Sequence, residues 1–360
     1  IRDFRKDQLE AFIELFVQVL RLAKEAGLVK LGKVSTDGTK IQGNASRHKA
    51  MSYGYMKKEV ERLREEIEAM VTQAFQQDDA DEAALGSRRG DDLPAELERR
   101  EARLAAIEAA MRRLEEQAKA EAEAERQRGA EADAERERQG KKRRGREPKP
   151  VEESPDDKAQ MSFTDAELHI MRMSNKGWDY CANAQASTDG ESQIILACGV
   201  SDAPHDKQQA EPMAQATLAN LDQAGIERPT DESGQVQAIP ATLDNGYYSE
   251  AATQALEDLG FAPYIAAGRH KHHEPQTEGS AEPATAKERM AAKVRTPEGT
   301  ALYRRRKVIV EPVFGQIKED RGFRRFSLRG LKKIRGEWSL VCLTHNLLKI
   351  WRYGCVPQTT

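Results

Sequence analysis

Three carboxylates in distant parts of the chain are candidates for a metal-dependent phosphoryl-transfer site. Asp37 lies in Ser-Thr-Asp-Gly-Thr and Asp244 in Thr-Leu-Asp-Asn-Gly-Tyr-Tyr, each just past a predicted strand, whereas Glu311 lies in a strongly basic helical segment. Ligands collect at the carboxyl ends of strands in α/β sheets. Three such side chains can hold two Mg²⁺ ions about 3.5–4 Å apart, which stabilise the attacking and leaving oxygens of a phosphodiester.

A basic residue accompanies the third carboxylate. Lys318 follows Glu311 by seven residues, which places both on one helical face, where the ammonium group can reach a phosphate. Each candidate also has an ordinary structural interpretation. Asp-Gly after a strand is typical of a turn, and Glu311 can form an i,i+4 ion pair with Lys307.

Formal charge is distributed unevenly along the 360 residues, although the net charge is only −3. Residues 150–286 carry 7 basic and 23 acidic side chains, whereas residues 287–360 carry 18 basic and 6 acidic ones. The basic segment suits a polyanion. The acidic segment suits hard cations or is a solvated surface, and it is also a possible binding surface for the basic segment of the same chain.

Hydrophobic periodicity predicts a mixed α/β chain. Helices are predicted at residues 4–26, 207–224, 250–259, 300–320 and 331–351. Strands are predicted at residues 33–36, 178–186, 192–200, 238–243 and 261–266, with a hairpin turn at 187–190 and a loop at 268–298. Strands separated by helices favour parallel pairing, and the hairpin favours an antiparallel edge.

A helical insertion is predicted between the first two strands of the sheet. Residues 56–77 and 97–118 place apolar side chains at alternating spacings of four and three, the pattern of a coiled-coil seam. A polar stretch with glycines and a proline separates them, which predicts an antiparallel helical hairpin. This arm binds a partner subunit or DNA, or it is a solvated spacer. A basic run and a Pro/Glu/Asp linker at 147–158 follow.

Several classes of protein are disfavoured. No apolar run approaches the roughly 20 residues that a membrane-spanning helix needs, so no membrane partner is expected. The four cysteines form no Cys-x-x-Cys pair, which argues against a zinc ribbon or disulfide scaffold and favours a reducing, cytoplasmic location. The chain begins at Ile1 without a basic-then-apolar leader, and we expect an incomplete amino terminus rather than a signal peptide.

Three short motifs and the basic tail form an ordered set. They are Asp37-Gly-Thr-Lys-Ile-Gln-Gly-Asn-Ala-Ser-Arg-His-Lys, Leu243-Asp-Asn-Gly-Tyr-Tyr-Ser, Val310-Glu-Pro-Val-Phe-Gly-Gln-Ile-Lys, and the tail from Arg321 to Trp338 with Thr344-His-Asn-Leu-Leu-Lys. Together they resemble the DDE transposases of bacterial insertion sequences, over nearly the whole chain.

This resemblance implies an RNase H-like fold in which Asp37, Asp244 and Glu311 are catalytic and hold two Mg²⁺ ions, with Mn²⁺ as a substitute. It implies cleavage of transposon DNA ends and transfer of the 3′-hydroxyl into target DNA. The implied partners are double-stranded DNA and a second copy of the chain in a synaptic complex, at the bacterial nucleoid. A DNA-recognition domain ahead of Ile1 is also expected.

The third motif departs from many of these relatives, which have Tyr, two residues, Arg, three residues and then Glu. Tyr303 and Arg306 stand one residue further from Glu311 than that pattern allows, so Lys307 competes for the arginine's place. Pro312 removes a helical hydrogen bond and disfavours the α conformation at the preceding residue. We expect a kink or bulge there to absorb the extra residue.

DNA contacts are expected from residues near the motifs and in the tail. The candidates are Lys318, Arg306, Tyr303, Lys307, Arg47, Lys49, Arg324, Arg325, Arg329, Lys332 and Lys333. Alternatively, Arg47 to Lys49 begin a helix that Asn44 or Ser46 caps. His270, His272 and His273 are more typical of a DNA-facing or solvated loop than of a zinc site.

Four strand residues and two further acids rank lower as candidates. Asn183 and Gln185 are possible neighbours of the metal site, although polar strand residues are common. Trp178 and Tyr180 are expected in the core rather than stacked on bases. Asp165 and Asp179 have no distinctive spacing.

The predicted organisation has five parts. They are a helical remnant of an amino-terminal domain at 1–30, an RNase H-like core at 31–55 and 159–320, the helical arm at 56–146, the flexible linker at 147–158 and a basic helical segment at 321–360. Two alternatives to a transposase stay open. One is a nuclease that cleaves without joining, and the other is an inactive DNA-binding or assembly protein derived from a transposase.

Overall fold

A computed structural model describes residues 8–85, 95–138, 152–267 and 285–354. The chain divides into two compact units, one formed by residues 1–44 and 167–360 and the other by residues 45–166. None of the helices in the described segments is both long enough and apolar enough to cross a membrane.

The helices and strands follow one another as a mixed α/β chain. The helices are α1 (Leu9–Glu25), α2 (Tyr53–Leu85), α3 (Ala95–Arg138), α4 (Ala210–Gln223), α5 (Glu250–Asp258), α6 (Ala286–Arg295), α7 (Pro297–Gly315) and α8 (Leu331–Tyr353). The strands are β1 (Val34–Gln42), β2 (Ala50–Ser52), β3 (Gln160–Ser162), β4 (His169–Arg172), β5 (Trp178–Asp189), β6 (Ile195–Ser201), β7 (Ile239–Leu243) and β8 (Phe261–Ile265).

A mixed sheet flanked by helices forms the first unit. The sheet order is β4-β5-β1-β7-β8, and β6 pairs with β5 beyond the stretch that β4 occupies. The pairs of β5 with β1, β4 and β6 are antiparallel, whereas β1 with β7 and β7 with β8 are parallel. The expected parallel strands and antiparallel hairpin are therefore both present.

Apolar side chains from α1, α4, α5 and α6 pack with the strands into one buried core. Leu20 of α1, Ile194 before β6 and Ile239 of β7 are fully buried members. Three of these helices end as the sequence predicts, because Gly27, Gly225 and Gly260 adopt positive φ angles of 71°, 64° and 83°. Glycine takes this conformation at little steric cost, so it ends a helix where another residue would be strained.

Helix α7 continues through Pro312, and no break separates Tyr303 from Glu311. A proline leaves the carbonyl four residues earlier without its helical partner. Gln193 supplies that partner, because its Nε2 donates to the Val308 carbonyl at 3.1 Å. The irregular turn comes later, as a π-helical turn at Gln316–Asp320. The predicted bulge is therefore absent between Tyr303 and Glu311, whereas the predicted kink at Pro312 stays a prediction.

Helix α8 is attached to the sheet by buried polar side chains. The Asn346 side chain accepts from the Ile195 N–H and donates to the Ile195 carbonyl, both at 2.8 Å. Trp338 Nε1 donates to the Gln185 carbonyl at 2.9 Å. These bonds join α8 to backbone groups of β5 and β6 in the buried interior.

The second unit contains α2 and α3 with the two-stranded β2–β3 sheet. Met56, Leu63 and Ile107 are buried in one apolar cluster between the two helices. Tyr53 Oη donates to Glu115 at 2.7 Å, and Arg64 pairs with Glu108 at 2.6 Å, so the helices run antiparallel. The predicted turn between them lies outside the described residues, and the coiled-coil interpretation stays a prediction.

Four local predictions are wrong. The first strand does not end near Asp37 but continues to Gln42, because β5 pairs with its whole length. The predicted turn at 187–190 falls largely within β5, and the chain reverses after Asp189. Part of the predicted 268–298 loop is α6, which Thr285 and Glu288 begin with a capping box. Trp178 is 56% exposed rather than in the core, although Tyr180 is buried as expected.

Candidate functional site

Asp37 and Asp244 are brought together by the parallel register of two central strands. Thr36 of β1 lies opposite Leu243, the last residue of β7. The next residue along each strand is an aspartate, so the two carboxylates emerge side by side where β7 stops. The Asp244 side chain accepts a hydrogen bond from the Gly246 N–H, which fixes the start of the following turn.

Arg306 connects these strands to the third predicted carboxylate. Its Nη1 lies 2.7 Å from Asp37 Oδ2, and its Nη2 lies 3.8 Å from Glu311 Oε1. The Arg306 side chain is 9% exposed and the Asp37 side chain 16%, whereas the Glu311 side chain is 52% exposed. The guanidinium group thus occupies the space between a buried carboxylate of the sheet and a half-exposed one on α7.

Asp37 is held in an environment that disfavours its charge. Burial raises the pKa of Asp37 to about 6, and the nearby charges of Asp244 and Asp206 add to the effect. The Arg306 guanidinium and the Gly38 N–H act in the opposite direction but do not cancel it. Burial and neighbouring carboxylates both destabilise the ionised form of a carboxyl group, and a cation bound nearby stabilises that form.

A polar cluster lies beside Gly38, the residue that follows Asp37, on the β5 side. Asp206 Oδ1 accepts hydrogen bonds from Asn183 Nδ2 and Gln185 Nε2, both at 2.7 Å, and lies 3.7 Å from Lys40 Nζ. Tyr247, in the turn after Asp244, donates to Gln185 Oε1. The cluster therefore links the turn that carries Asp244 to the strand that runs beside Asp37.

Sequence reasoning placed Asn183 and Gln185 near the site as possibilities and did not single out Asp206. The available signal was its position, in the loop after one predicted strand and immediately before a predicted helix. The same rule had selected Asp244. Lys40 was also missed. Burial lowers the pKa of Lys40, and the nearby Asp206 carboxylate acts in the opposite direction.

The two candidates for the arginine position have opposite environments. Arg306 is buried and contacts Asp37, whereas Lys307 is exposed. Tyr303 lies beneath Arg306, with its ring centroid 5.9 Å from the guanidinium carbon, and burial raises the pKa of Tyr303. Arg306 therefore reaches the site despite the extra residue before Glu311.

Lys318 also reaches β1. Its Nζ donates to Thr39 Oγ1 and, at 3.0 Å, to the Lys40 carbonyl. Burial lowers the pKa of Lys318. The Lys318 ammonium group thus contacts the second and third residues after Asp37 on β1.

Nowhere in the described residues do three His, Cys, Asp or Glu side chains stand close enough together to hold a metal ion. Arg306 stands among the carboxylates instead. Oxygen donors that suit a hard divalent cation do lie beside Gly38 and Gly246, namely carboxylate oxygens of Asp206 and Asp244 and the amide oxygen of Asn183. A Cβ on Gly246 would lie 2.8 Å from Asp244 Oδ1, so a side chain at this position would crowd that carboxylate.

Basic side chains of the tail make contacts within their own unit. Arg325 Nε donates to the Gly43 carbonyl at 3.2 Å, Arg329 Nε to the Asn44 carbonyl at 2.9 Å, and Arg324 pairs with Glu319. Lys332 lies 3.8 Å from Glu10. These partners lie outside residues 150–286. Arg335 of the same tail does reach that acidic segment, where its Nε donates to the Val200 carbonyl at 3.3 Å.

The remaining candidates lie apart from this cluster. Arg47 and Lys49 are exposed on a 3₁₀ turn of the second unit, and neither Ser46 nor Asn44 caps it, because Asn44 donates to the Ser327 carbonyl. Asp179 accepts from Gln42 at 2.8 Å. Asp165 belongs to the second unit, and the three histidines of the predicted loop lie outside the described residues.

Comparison with known proteins gives one match. Residues 267–351 match the family model of the transposase DDE domain. This segment contains Tyr303, Arg306, Glu311 and Lys318, whereas Asp37 and Asp244 lie before it. No curated protein and no solved structure matches the chain.

Proposed function

We propose that this chain, with its transposase DDE domain match at residues 267–351, is a DNA transposase. In this proposal it cuts transposon DNA at its ends and joins the 3′-hydroxyl to target DNA. The observation that carries the proposal is the contact between Arg306, inside the matched segment, and Asp37, 269 residues earlier. That contact joins the matched helix to the strand with the first predicted catalytic carboxylate, beside Asp244.

The sheet supports an RNase H-like core as part of this proposal. Antiparallel strands β6, β5 and β1 continue into parallel strands β7 and β8, and helices flank the sheet. Asp37 on the central strand and Asp244 on its parallel neighbour then occupy the region where the site is expected. Residues 31–55 and 159–320 are proposed as this core, and the long helices α2 and α3 as an inserted arm.

In the proposed site Asp37, Asp244 and Glu311 hold divalent cations, with Mg²⁺ as the physiological ion and Mn²⁺ as a substitute. Bound cations of this kind stabilise charge on the attacking and leaving oxygens of a phosphodiester. The protein supplies the carboxylate oxygens and a partly dry setting around Asp37, which strengthens every electrostatic interaction there.

The basic residues of the site have distinct proposed roles. Arg306 holds Asp37 in place and carries positive charge to the position of the substrate phosphates. Lys318, tied to Thr39 and the Lys40 carbonyl, provides a second cation next to β1. Tyr303 supports the guanidinium of Arg306 through its ring. Positive groups so placed are the ones that bind and orient a phosphodiester.

Binding of double-stranded DNA is proposed for the exposed basic side chains outside this cluster. Those on α7 and in the tail are Lys307, Arg324, Arg325, Arg329 and Lys332, together with the half-buried Lys333, and those of the second unit are Arg47 and Lys49. A homodimer in a synaptic complex and a location at the nucleoid belong to the same proposal. The arm is proposed as a surface for the partner subunit or for DNA.

A cleavage and joining assay tests this function. The protein is incubated with a plasmid that carries the element and its flanks, with Mg²⁺ or Mn²⁺. Wild type is compared with Asp244→Asn, which removes a proposed metal ligand, and with Asp222→Asn, which removes an exposed acid on α4. We expect metal-dependent cleavage and joining by wild type and Asp222→Asn, and a loss of at least about 100-fold in Asp244→Asn.

The outcomes separate the alternatives. Cleavage without joining identifies a nuclease rather than a transposase. DNA binding without cleavage by any of the three proteins identifies an inactive derivative. Equal activity of wild type and Asp244→Asn removes Asp244 from the site.

A further inference from the structure

Polar atoms converge beside Gly38, immediately after the first predicted catalytic aspartate. A Cβ added to Gly38 would lie 2.7 Å from Asp206 Oδ1 and 2.9 Å from Asn183 Oδ1, and closer still to Gln185 Nε2. Only glycine fits between these groups. Asn183 and Gln185 are fully buried on β5, so the cluster belongs to the interior of the sheet unit rather than to its solvent-exposed surface.

One atom of this cluster has no partner. Asn183 Oδ1 is buried and accepts no hydrogen bond, although Asn183 Nδ2 donates to Asp206. A buried carbonyl oxygen without a donor costs about 1–3 kcal/mol. A Cβ on Gly38 would lie 2.9 Å from this oxygen and 2.7 Å from Asp206 Oδ1, so the unsatisfied oxygen lies beside Asp206. An oxygen of this kind suits the coordination shell of a hard cation, either as a ligand or through a bound water.

Asp206 is oriented so that its two oxygens have different surroundings. Oδ1 accepts from the amides of Asn183 and Gln185 and lies near Lys40. Oδ2 lies on the side of Gly246, where an added Cβ would be 3.6 Å from it and 2.8 Å from Asp244 Oδ1. The amides hold one oxygen, so the other faces the turn that carries Asp244.

The charges in this region are out of balance. The carboxylates of Asp37, Asp206 and Asp244 lie near one another, and the cations that face them are Arg306 and Lys40. Asp206 acts on Asp37 through space, as Asp244 does. Glu311 and Lys318 add one charge of each sign, so four negative and three positive charges leave a net negative site, which favours one further cation.

We propose that Asp206 is a further ligand of the divalent cation held by Asp37 and Asp244, presented to it by Asn183 and Gln185. This inference rests on the proposed function, because it concerns the same cation site. The site then has four carboxylates rather than three. Asp206 contributes Oδ2, on the Gly246 side, while Glu311 approaches from α7. The alternative is that Asp206 only accepts hydrogen bonds from the two amides and helps to position the strands.

Mn²⁺ binding to the full chain, measured by calorimetry, is the first test. Asp206→Asn keeps an oxygen for the two amides and replaces Oδ2 by an N–H₂ group. Asp202→Asn is the matched control, since Asp202 lies in the same loop and pairs with His169 at 3.7 Å. We expect Asp206→Asn to weaken Mn²⁺ binding at least tenfold, Asp37→Asn to weaken it at least as much, and Asp202→Asn to leave it within twofold.

A second variant separates a ligand from a positioning residue, since loss of a supporting residue also weakens metal binding by about 10–100-fold. Asp206→Cys places a soft thiolate at the same position, and soft ligands favour soft metals. Binding of Cd²⁺ relative to Mg²⁺ is expected to rise at least tenfold in Asp206→Cys and to stay unchanged in Asp202→Cys. The second cysteine variant corrects for binding by a thiol elsewhere in the same loop.

Each result decides the matter. Unchanged Mn²⁺ affinity in Asp206→Asn overturns the proposal. So does a Cd²⁺ preference that is equal in the two cysteine variants, which would leave Asp206 as a positioning residue. Both outcomes leave the proposed transposase intact if Asp37→Asn still abolishes binding. If wild type binds no Mn²⁺, the fourth ligand and the metal-dependent function fail together.

Discussion

Asp37 is a buried carboxylate whose negative charge the fold disfavours, and this has a direct thermodynamic consequence. The carboxyl group has a pKa of about 6 in the fold, against an ordinary value of 3.8. Between these values the folded state binds more protons than the unfolded state. Stability from this group is therefore present at low pH and is lost as the pH rises from about 4 to about 6.

Replacement of Asp37 by asparagine is expected to stabilise the metal-free protein at neutral pH. The variant removes the cost of a charge that is desolvated and close to Asp244 and Asp206. We expect the free energy of unfolding in urea to rise by about 1–3 kcal/mol at pH 7.5 and to match wild type near pH 4. A variant that is less stable than wild type at pH 7.5 would contradict the assignment of strain to this carboxylate.

Arg306 and Lys307 are neighbours with opposite environments, and they form a matched pair of variants. Arg306→Gln leaves Asp37 buried without its partner, so we expect a loss of about 3–5 kcal/mol at pH 7.5. Lys307→Gln changes an exposed side chain and is expected to cost less than about 0.5 kcal/mol. Urea unfolding measures both.

The origin of the Arg306 effect can be isolated. In an Asp37→Asn background the buried charge is absent, so Arg306→Gln should cost clearly less than it does in wild type. A double-mutant cycle gives this difference as a coupling energy. Equal costs in both backgrounds would show that Arg306 acts through packing against Tyr303 rather than through Asp37.

At the scale of the element, the sequence was most informative where structure is set locally. The ends of α1, α4 and α5 follow from glycines that no other residue type replaces easily, and Ile239–Leu243 is an apolar run of strand length. The capping box of α6 was also present in the sequence, as Thr285 and Glu288, and the interpretation of that region as a loop overlooked it.

Elements that depend on distant pairing were predicted less well. Asp37-Gly38 has the sequence of a turn, yet both residues lie inside a strand because β5, about 140 residues later in the chain, pairs with them. Likewise, α7 continues through Pro312, and Gln193 from the β5–β6 connection donates to the Val308 carbonyl that the proline leaves without a helical partner. Neither partner can be identified from local spacing. The position of Asp244 at the end of a strand was predicted correctly, because a short apolar strand followed by Asp-Asn-Gly is recognisable from local sequence alone.

Gly38 offers a test of how tightly β1 and β5 are fitted at the site. Gly38→Ala puts a methyl group against Asp206 and Gln185, so we expect a loss of about 1–3 kcal/mol from overpacking. Gly315→Ala is the control, because nothing lies within 4 Å of a Cβ there, and it sits in a helix. That control should gain about 0.5–1 kcal/mol. Equal stability of the two variants would show that the side chains around Gly38 can move to accommodate a methyl group at little cost in free energy.

For the whole molecule, the sequence distinguished the segments of the sheet unit from the long helices. Short apolar strands that alternate with helices predicted the sheet unit, and apolar spacings of four and three predicted the long helices of residues 45–166. The uneven charge was informative about partners but not about the fold. The contacts of the tail arginines with backbone carbonyls of Gly43 and Asn44 had no signal in the sequence.

The division into two units predicts that damage to the arm stays local. Leu63 is 1% exposed and packs with Met56 and Ile107 between α2 and α3. Leu63→Ala leaves a cavity there, which costs about 2–5 kcal/mol. Amide hydrogen exchange measures this cost separately in each unit, because it reports the opening free energy of each region.

We expect protection to fall in α2 and α3 while the amides of β1, β5 and β7 keep their wild-type exchange rates. Lys58→Ala, an exposed change on α2, serves as the control and should alter neither unit. Equal loss of protection in the sheet would mean that the two units unfold as one. Under the expected result, arm variants that impair the proposed transposition while leaving Mn²⁺ binding intact assign the arm to DNA or partner binding, because all residues of the proposed cation site belong to the other unit.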